Sequence, residues 1–224
     1  MMPGPDASGE CALSGFWPRL LVLLATALPA WADAGPADAF ARYVASLQAR
    51  DGAAAAALVT AGSLAREEQL RDMALAAPPD KVAALPMTDR LAVLRLRHEF
   101  TAEELRPLAG SDLLRLAVEE EWTSPKPLAV LTVTGAEVDG DAATLDVERA
   151  GEAVPVRLVL RQEEGAWRLD LVELARGSDD ALAQSLAFRA GRAKVSVEEV
   201  LRWAIEDSSG HLVDKDLWQP LTPE

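Results

Sequence analysis

The fold is decided by residues 128–174, which read LAVLTVTGAEVDGDAATLDVERAGEAVPVRLVLRQEEGAWRLDLVEL. This stretch contains four short segments in which apolar and polar residues alternate. Turn-forming sequences separate them at Asp139-Gly140-Asp141, Arg149-Ala150-Gly151 and Glu163-Glu164-Gly165. Successive side chains of a strand point to opposite faces, and short connections containing glycine favour hairpins. The stretch therefore predicts a four-stranded antiparallel meander.

The alternation assigns every side chain of the meander to one of two faces. The apolar face consists of Leu131, Val133, Ala143, Leu145, Val147, Val156, Leu158, Leu160, Trp167, Leu169 and Leu171. The opposite face carries threonines and charged residues of both signs, among them Asp146, Arg161 and Arg168. An antiparallel sheet with one apolar and one polar face is covered on one side and solvated on the other.

Helical patterns flank the meander. Residues 37–50 place Phe40, Tyr43, Val44 and Leu47 at helical spacing, and further helices are predicted within 53–59, 63–76, 88–99, 101–110 and from Ser111. Beyond the sheet, Ser178 is predicted to start a helix that ends near Arg189, and the spacing of Ser196 and Glu199 is that of a capping box. The tail, with Leu217, Trp218 and Leu221, is predicted to lie as a strap across the body. The predicted fold class is α+β: N-terminal helices packed on one face of the meander, with a helical C-terminal extension.

The N-terminus has the pattern of an export signal. Arg19 precedes an apolar run of thirteen residues, LLVLLATALPAWA, and small residues follow at Ala30, Ala32 and Ala34. Spanning a bilayer takes about 20 residues, so we predict a cleavable signal peptide over residues 1–32, cut near Ala32 or Ala34. The alternatives are an uncleaved anchor or a mis-called start codon. Residues 33–224 then form one periplasmic or secreted domain with no transmembrane segment in the mature chain.

Charge and cysteine content exclude several classes of function. The net charge of −14 and the scattered basic residues argue against a nucleic-acid partner and against an anionic membrane surface. Cys11, the one cysteine, lies in the predicted signal peptide, so the mature chain has neither disulfides nor thiolate metal sites. Because the sequence also contains no phosphate-binding loop or dinucleotide fingerprint, we expect no cofactor and no metal.

The chain resembles the nuclear transport factor two-like superfamily, and above all its exported, uncharacterised bacterial members. The resemblance covers about residues 37–174. It depends on the first helix with Phe40 to Leu47, the turn Asp139-Gly140-Asp141-Ala142, and the last strand of sequence GAWRLDL at 165–171. It implies a curved, cystatin-like sheet packed against helices. In the enzymes of this superfamily, such as ketosteroid isomerase-like and polyketide cyclase-like members, the resemblance places an acid or a histidine inside the cone formed by the sheet.

The sheet face assigned to the interior offers no titratable group, so a catalytic base would have to come from a helix. His98 is the candidate, because Met87, Leu91, Leu94 and His98 share one helix face and imidazole transfers protons near neutral pH. We favour the structural alternative, in which His98 borders the core and bonds a carbonyl or a carboxylate such as Glu103. Arg95 and Glu99, four residues apart, are predicted to form a surface pair, with an anion clamp as the less favoured alternative.

The remaining candidates lie near the C-terminus. His211 with Asp214 and Asp216 could be interpreted as a metal site, but the spacing matches no calcium or zinc pattern and we favour a solvated loop. Trp203 and Trp218 are candidate ligand-binding residues, with burial in the core as the favoured alternative.

These patterns lead to three functional hypotheses. The first is a periplasmic, non-catalytic binding or interaction module for an unknown small apolar ligand or an envelope protein. The second is a small-molecule cyclase or isomerase that uses His98. The third is a structural accessory protein of an envelope complex.

Overall fold

A computed structural model of the chain describes residues 35–221, so the predicted signal peptide and its cleavage sites lie outside the described residues. Within these residues, eight helices precede the sheet: α1 (Pro36–Ala49), α2 (Gly52–Ala57), α3 (Ala61–Ala76), α4 (Pro79–Ala83), α5 (Met87–Glu99), α6 (Ala102–Leu105), α7 (Gly110–Glu119) and α8 (Lys126–Ala129). Two helices follow it, α9 (Leu171–Ala193) and α10 (Val197–Ser209). The predicted α+β class is confirmed.

The predicted meander is present as an antiparallel sheet in the order β1-β2-β4-β5, with the short β3 paired to β2. Its strands are β1 (Thr132–Asp139), β2 (Ala142–Arg149), β3 (Glu152–Ala153), β4 (Leu158–Glu163) and β5 (Ala166–Leu169). The connection Ala150-Gly151 has φ values of 54° and 82°, and Glu164-Gly165 has 53° and 78°. Two consecutive positive φ values define the tight hairpin turn whose twist matches that of the strands, so the turns lie where the sequence predicts them.

One face of the sheet is buried, as the alternation predicts. Leu145, Val147, Leu158, Leu160 and Leu169 are buried in a core that they share with Phe40, Tyr43 and Leu47 of α1, Ala55 of α2, and Leu114 and Val118 of α7. Ala143 is buried as well. The far end of β1 is different, because Val138 is 54% exposed although its partner Ala143 is buried. A register shift between Val133 and Gly135 separates this end of the strand from its covered part.

The other helices form a second hydrophobic core. It joins Leu70 and Ala74 of α3, Val82 of α4, Val93, Leu94 and Leu96 of α5, Leu186 and Ala190 of α9, and Val200, Leu201 and Ile205 of α10. Leu113 of α7 also belongs to this second core, so α7 contributes to both cores.

The helix after the sheet begins earlier than predicted. Asp170 is its N-cap, and its carboxylate accepts hydrogen bonds from the backbone N–H groups of Val172 and Glu173. The helix then continues through Ser178, whose hydroxyl donates back to the carbonyl of Leu174 at 2.9 Å. Two predictions were therefore wrong: Leu171 belongs to α9 and not to the last strand, and Ser178 is not a helix cap.

The tail forms the predicted strap. Leu217 is buried in the second core, and the N–H of Leu221 donates to the carbonyl of Ala74 at 3.3 Å. Within residues 35–221, no helix combines the length and the hydropathy that crossing a bilayer would require.

Candidate functional site

A partly enclosed cavity of about 240 Å³, the interhelical cavity, lies where the two cores meet. Its lining comes from helices and the segments that join them: Tyr43, Arg66, Glu67, Thr88, Ala92, Arg95, Leu96, Leu113, Leu114, Ala117, Trp122, Thr123, Leu128, Leu171 and Leu174. None of these lining residues belongs to a strand. The sheet face covered by α1, α2 and α7 is therefore not the wall of this cavity, unlike the arrangement that the resemblance implies.

Two acidic groups face this largely apolar space. Burial raises the pKa of the Tyr43 hydroxyl, and the nearby charge of Glu67 raises it further. Burial also raises the pKa of Glu67. The charge of Arg66 lowers this pKa and the charge of Asp89 raises it, but burial has the largest effect. Arg66 bonds Glu67 at 3.1 Å and also bonds Asp89. A carboxyl group with a raised pKa in a sheltered cavity is typical of functional sites.

Arg95 and Trp122 form another part of the cavity wall. The guanidinium carbon of Arg95 lies 5.6 Å from the Trp122 ring centroid, and the edge of Trp122 meets Phe100 at 5.9 Å and 74°. Arg95 Nη1 is 3.7 Å from Glu99 Oε1, with side-chain exposures of 11% and 14%. The prediction of a surface pair was therefore wrong about its location, because α5 is covered by neighbouring elements on several sides.

His98 does not line the cavity. The residue is 6% exposed, and its Nε2 lies 3.0 Å from Ser209 Oγ on α10. Burial lowers the pKa of His98, and the charge of Glu99 partly opposes this effect. The structure thus places His98 at the border of the second core, with a serine hydroxyl as partner and not Glu103.

His211 packs against His98. The two ring centroids are 4.4 Å apart with an interplanar angle of 23°, and His211 Nε2 is 4.0 Å from Glu99 Oε2. His211 is exposed in a loop, as predicted, but the sequence paired it with Asp214 and Asp216 and missed the contact with His98. Asp216 instead accepts a hydrogen bond from the backbone N–H of Trp218 at 3.0 Å.

The two candidate tryptophans occupy different surroundings. Trp203 is half-buried against the second core. Trp218 also packs against that core and lines an open cavity of about 390 Å³, together with Leu94, Ile205 and Lys215. The interhelical cavity contains neither tryptophan among its lining residues.

Arg97 is a buried cation that the sequence analysis missed. It is 1% exposed, and burial lowers its pKa to about 10, which leaves it charged at neutral pH. Its guanidinium donates to five backbone carbonyls, those of Met73, Ala74, Ala77, Leu217 and Trp218. A sequence signal existed, since Leu91, Val93, Leu94 and Leu96 distribute apolar residues around the whole helix, which is typical of a buried helix.

No model of a protein family, no curated protein and no solved structure matches this chain. The resemblance to the nuclear transport factor two-like superfamily therefore stays a prediction, and the geometry of the cavities carries the functional argument.

Proposed function

We propose that this protein is an exported, non-catalytic binding module that holds a small, largely apolar molecule in the interhelical cavity. The observation that carries the proposal is the cavity itself, about 240 Å³ of space with leucines, Trp122 and a carboxyl group, Glu67, along its lining. Small-molecule sites are concave, mostly apolar and equipped with a few polar groups that orient the ligand.

The volume defines the size of the ligand. An apolar cavity of roughly 150 Å³ holds benzene, so a space of about 240 Å³ accommodates a ring with a short substituent. Leu96, Leu113 and Leu114 supply the apolar contacts, and the Trp122 ring offers an aromatic surface.

The polar groups define the kind of substituent. Glu67 and Tyr43 are close enough for the charge of one to alter the pKa of the other, and both line the cavity. A ligand group that donates a hydrogen bond, such as an amine or a hydroxyl, would relieve the cost of burying the Glu67 carboxylate.

The cavity does not favour the isomerase-type alternative. That hypothesis assigns the catalytic base to His98, which is absent from the lining residues and is bonded to Ser209. A general base must lie within hydrogen-bond reach of the proton that it removes.

The test uses simple aromatic probes and a variant that fills the cavity. Benzylamine, benzyl alcohol and benzoate are titrated into the purified protein by calorimetry and ligand-observed NMR. We expect the amine and the alcohol to bind more tightly than benzoate. Ala117→Phe places a ring in the cavity and should abolish binding, while Ala187→Phe, on the exposed side of α9, is the matched control and should bind normally.

Native mass spectrometry of protein extracted gently from the periplasm gives a second readout. We expect a co-purifying small molecule with the parent protein and none with Ala117→Phe. Equal binding of the probes by Ala117→Phe and Ala187→Phe would contradict the proposal. Failure of the parent protein to bind any of the three compounds would contradict it as well.

A further inference from the structure

The only two histidines of the chain are brought together at one place, where the end of α5 meets the loop after α10. One nitrogen of His98, one nitrogen of His211 and a carboxylate oxygen of Glu99 lie within 4.8 Å of one another. This cluster is separate from the interhelical cavity, since none of its three residues lines that cavity.

The hydrogen bonds around His98 assign its tautomer. Ser209 Oγ donates its single proton to a backbone carbonyl, that of His211 at 3.1 Å or of Glu206 at 3.4 Å. The same oxygen then accepts from His98, so the proton of His98 is on Nε2. His98 Nδ1 is therefore left with a lone pair. This nitrogen is buried and has no hydrogen-bond partner within residues 35–221.

The surroundings of His211 assign the other tautomer. Its Nδ1 lies 3.1 Å from the carbonyl oxygen of Ser209. A carbonyl only accepts, so Nδ1 carries the proton and Nε2 is left with a lone pair. That lone-pair nitrogen is the atom 4.0 Å from Glu99 Oε2.

Glu99 supplies the third electron-pair donor. Its Oε1 is buried and makes no hydrogen bond within residues 35–221, and the nearest cation, Arg95 Nη1, is 3.7 Å away. His98, His211 and Glu99 thus offer three electron-pair donors in one small region, and in each imidazole one ring nitrogen contacts an oxygen, Ser209 Oγ for His98 and the Ser209 carbonyl for His211. Metal-ligating histidines are oriented in this way, because they donate the second ring N–H to a carbonyl or another oxygen.

We propose that His98, His211 and Glu99 bind one divalent transition-metal ion, with Zn²⁺ the best match. Two imidazoles and one carboxylate are a known zinc ligand set that leaves a fourth position for water. Bonds of about 2.0–2.2 Å require the ligand atoms to approach one another more closely than 4.8 Å. Rotation of the His211 side chain, which is 58% exposed, supplies that movement.

Two cations limit the affinity. Arg95 faces Glu99 and bonds Ser208, and Lys215 donates to the carbonyl of Phe100 at 3.3 Å. The charges of both also act on His98. Metal binding would therefore compete with the pairing of Arg95 and Glu99, while Arg95 keeps its contacts with Ser208 and Trp122. The ion would connect α5 directly to the loop after α10.

The experiment uses untagged protein, freed of metal with a chelator. Zn²⁺ is titrated by calorimetry, and Co²⁺ reports the coordination geometry through its visible spectrum. We expect one ion per chain, a tetrahedral Co²⁺ spectrum that Zn²⁺ abolishes, and a higher melting temperature with Zn²⁺.

His211→Asn is the decisive variant, because His211 is exposed and its loss should leave the fold of the metal-free protein intact. It should weaken binding by more than the roughly 10–100-fold that changes next to a metal ligand cause. Ser209→Ala should weaken binding within that range, and Asp214→Asn, an exposed carboxylate change in the same loop, is the matched control. The proposal would be overturned if the parent protein did not bind one Zn²⁺ per chain, or if His211→Asn bound Zn²⁺ as tightly as the parent protein does.

Discussion

Replacement of Arg97 by methionine should destabilise the protein more than any change of an exposed arginine. The substitution keeps much of the apolar stem and removes the guanidinium, which bonds five carbonyls at distances of 2.6–3.1 Å. Three of these carbonyls are at the C-terminal end of α3 and two are in the tail, so one side chain joins three elements of the fold.

The magnitude follows from the geometry. A hydrogen bond to a charged group contributes roughly 1.5–3 kcal/mol. Water reaches part of this site when the side chain is lost, because the carbonyls of Met73 and Trp218 are at its half-buried edge. We therefore expect a loss of about 4 kcal/mol, within the range of about 3–5 kcal/mol for breaking a buried charged contact. That is a large share of the total stability of a domain, which is about 5–15 kcal/mol.

Urea unfolding followed by tryptophan fluorescence measures this loss. Arg176→Met is the matched control, since Arg176 is exposed on α9 and pairs with Glu173 of the same helix. Exposed pairs contribute about 0–1 kcal/mol. If Arg97→Met and Arg176→Met lower the free energy of unfolding equally, the carbonyl cluster is not a stabilising contact and the reasoning fails.

Three further predictions concern stability. Burial raises the pKa of Glu67, so the native state binds more protons than the unfolded state between the ordinary carboxyl pKa and the raised one, and stability falls as pH rises through that window. Glu67→Gln should abolish this fall and stabilise the protein at neutral pH, as urea unfolding at mildly acidic and neutral pH would show. Gly110→Ala places a Cβ 2.0 Å from the carbonyl oxygen of Leu64 and should cost at least about 2 kcal/mol. In Gly177→Ala the added Cβ has no heavy atom within 4 Å, so this change should instead raise the free energy of unfolding by about 0.5–1 kcal/mol. Chemical unfolding measures the effect of both glycine substitutions. Asp170→Ala removes the N-cap of α9 and should lower the free energy of unfolding by about 1–2 kcal/mol, visible as a lower melting temperature; an unchanged value would mean that α9 does not depend on its cap.

The sheet could be predicted because its signals are local. Alternation marks the buried face, and the glycine-containing turns set which strands become neighbours, so Leu145, Leu158 and Leu169 were assigned correctly to the interior. Val138 shows the limit of this reasoning. The alternation places it on the polar face with Thr132 and Thr134, but the register shift between Val133 and Gly135 pairs it with Ala143 of the buried face, and no local pattern records that shift.

The prediction of where the last strand ends was wrong for a related reason. Leu169 and Leu171 continue the period of two, so the strand was extended by two residues too many. Asp170 is the residue that stops it, because its carboxylate bonds the first N–H groups of α9 and also Arg161 at 2.9 Å. An aspartate between two leucines is compatible with a strand face or with a helix cap, and only the path of the next helix decides.

The candidate sites depend on contacts between residues far apart in the chain. Tyr43 and Glu67 belong to α1 and α3, and they line one cavity together with residues of α5 and α7. His98 and His211 are separated by more than one hundred residues, and their stacking follows from the packing of α10 on α5. The spacing of these residues along the sequence predicts neither contact.

Hydrogen bonds from α5 explain why the C-terminal extension has a defined position. Apolar residues of α10 such as Leu201 and Ile205 are buried in the second core, but apolar contacts tolerate sliding and rotation. Three polar side chains of α5 remove that freedom, because each bonds a different part of the extension. Arg95 bonds Ser208, His98 bonds Ser209, and Arg97 bonds the carbonyls of the tail. Burying these groups is costly unless every one of them finds its partner, so a shifted α10 or a displaced tail would leave charges unpaired. The polar residues of this buried helix therefore select one arrangement of the end of α10 and of the tail up to Trp218.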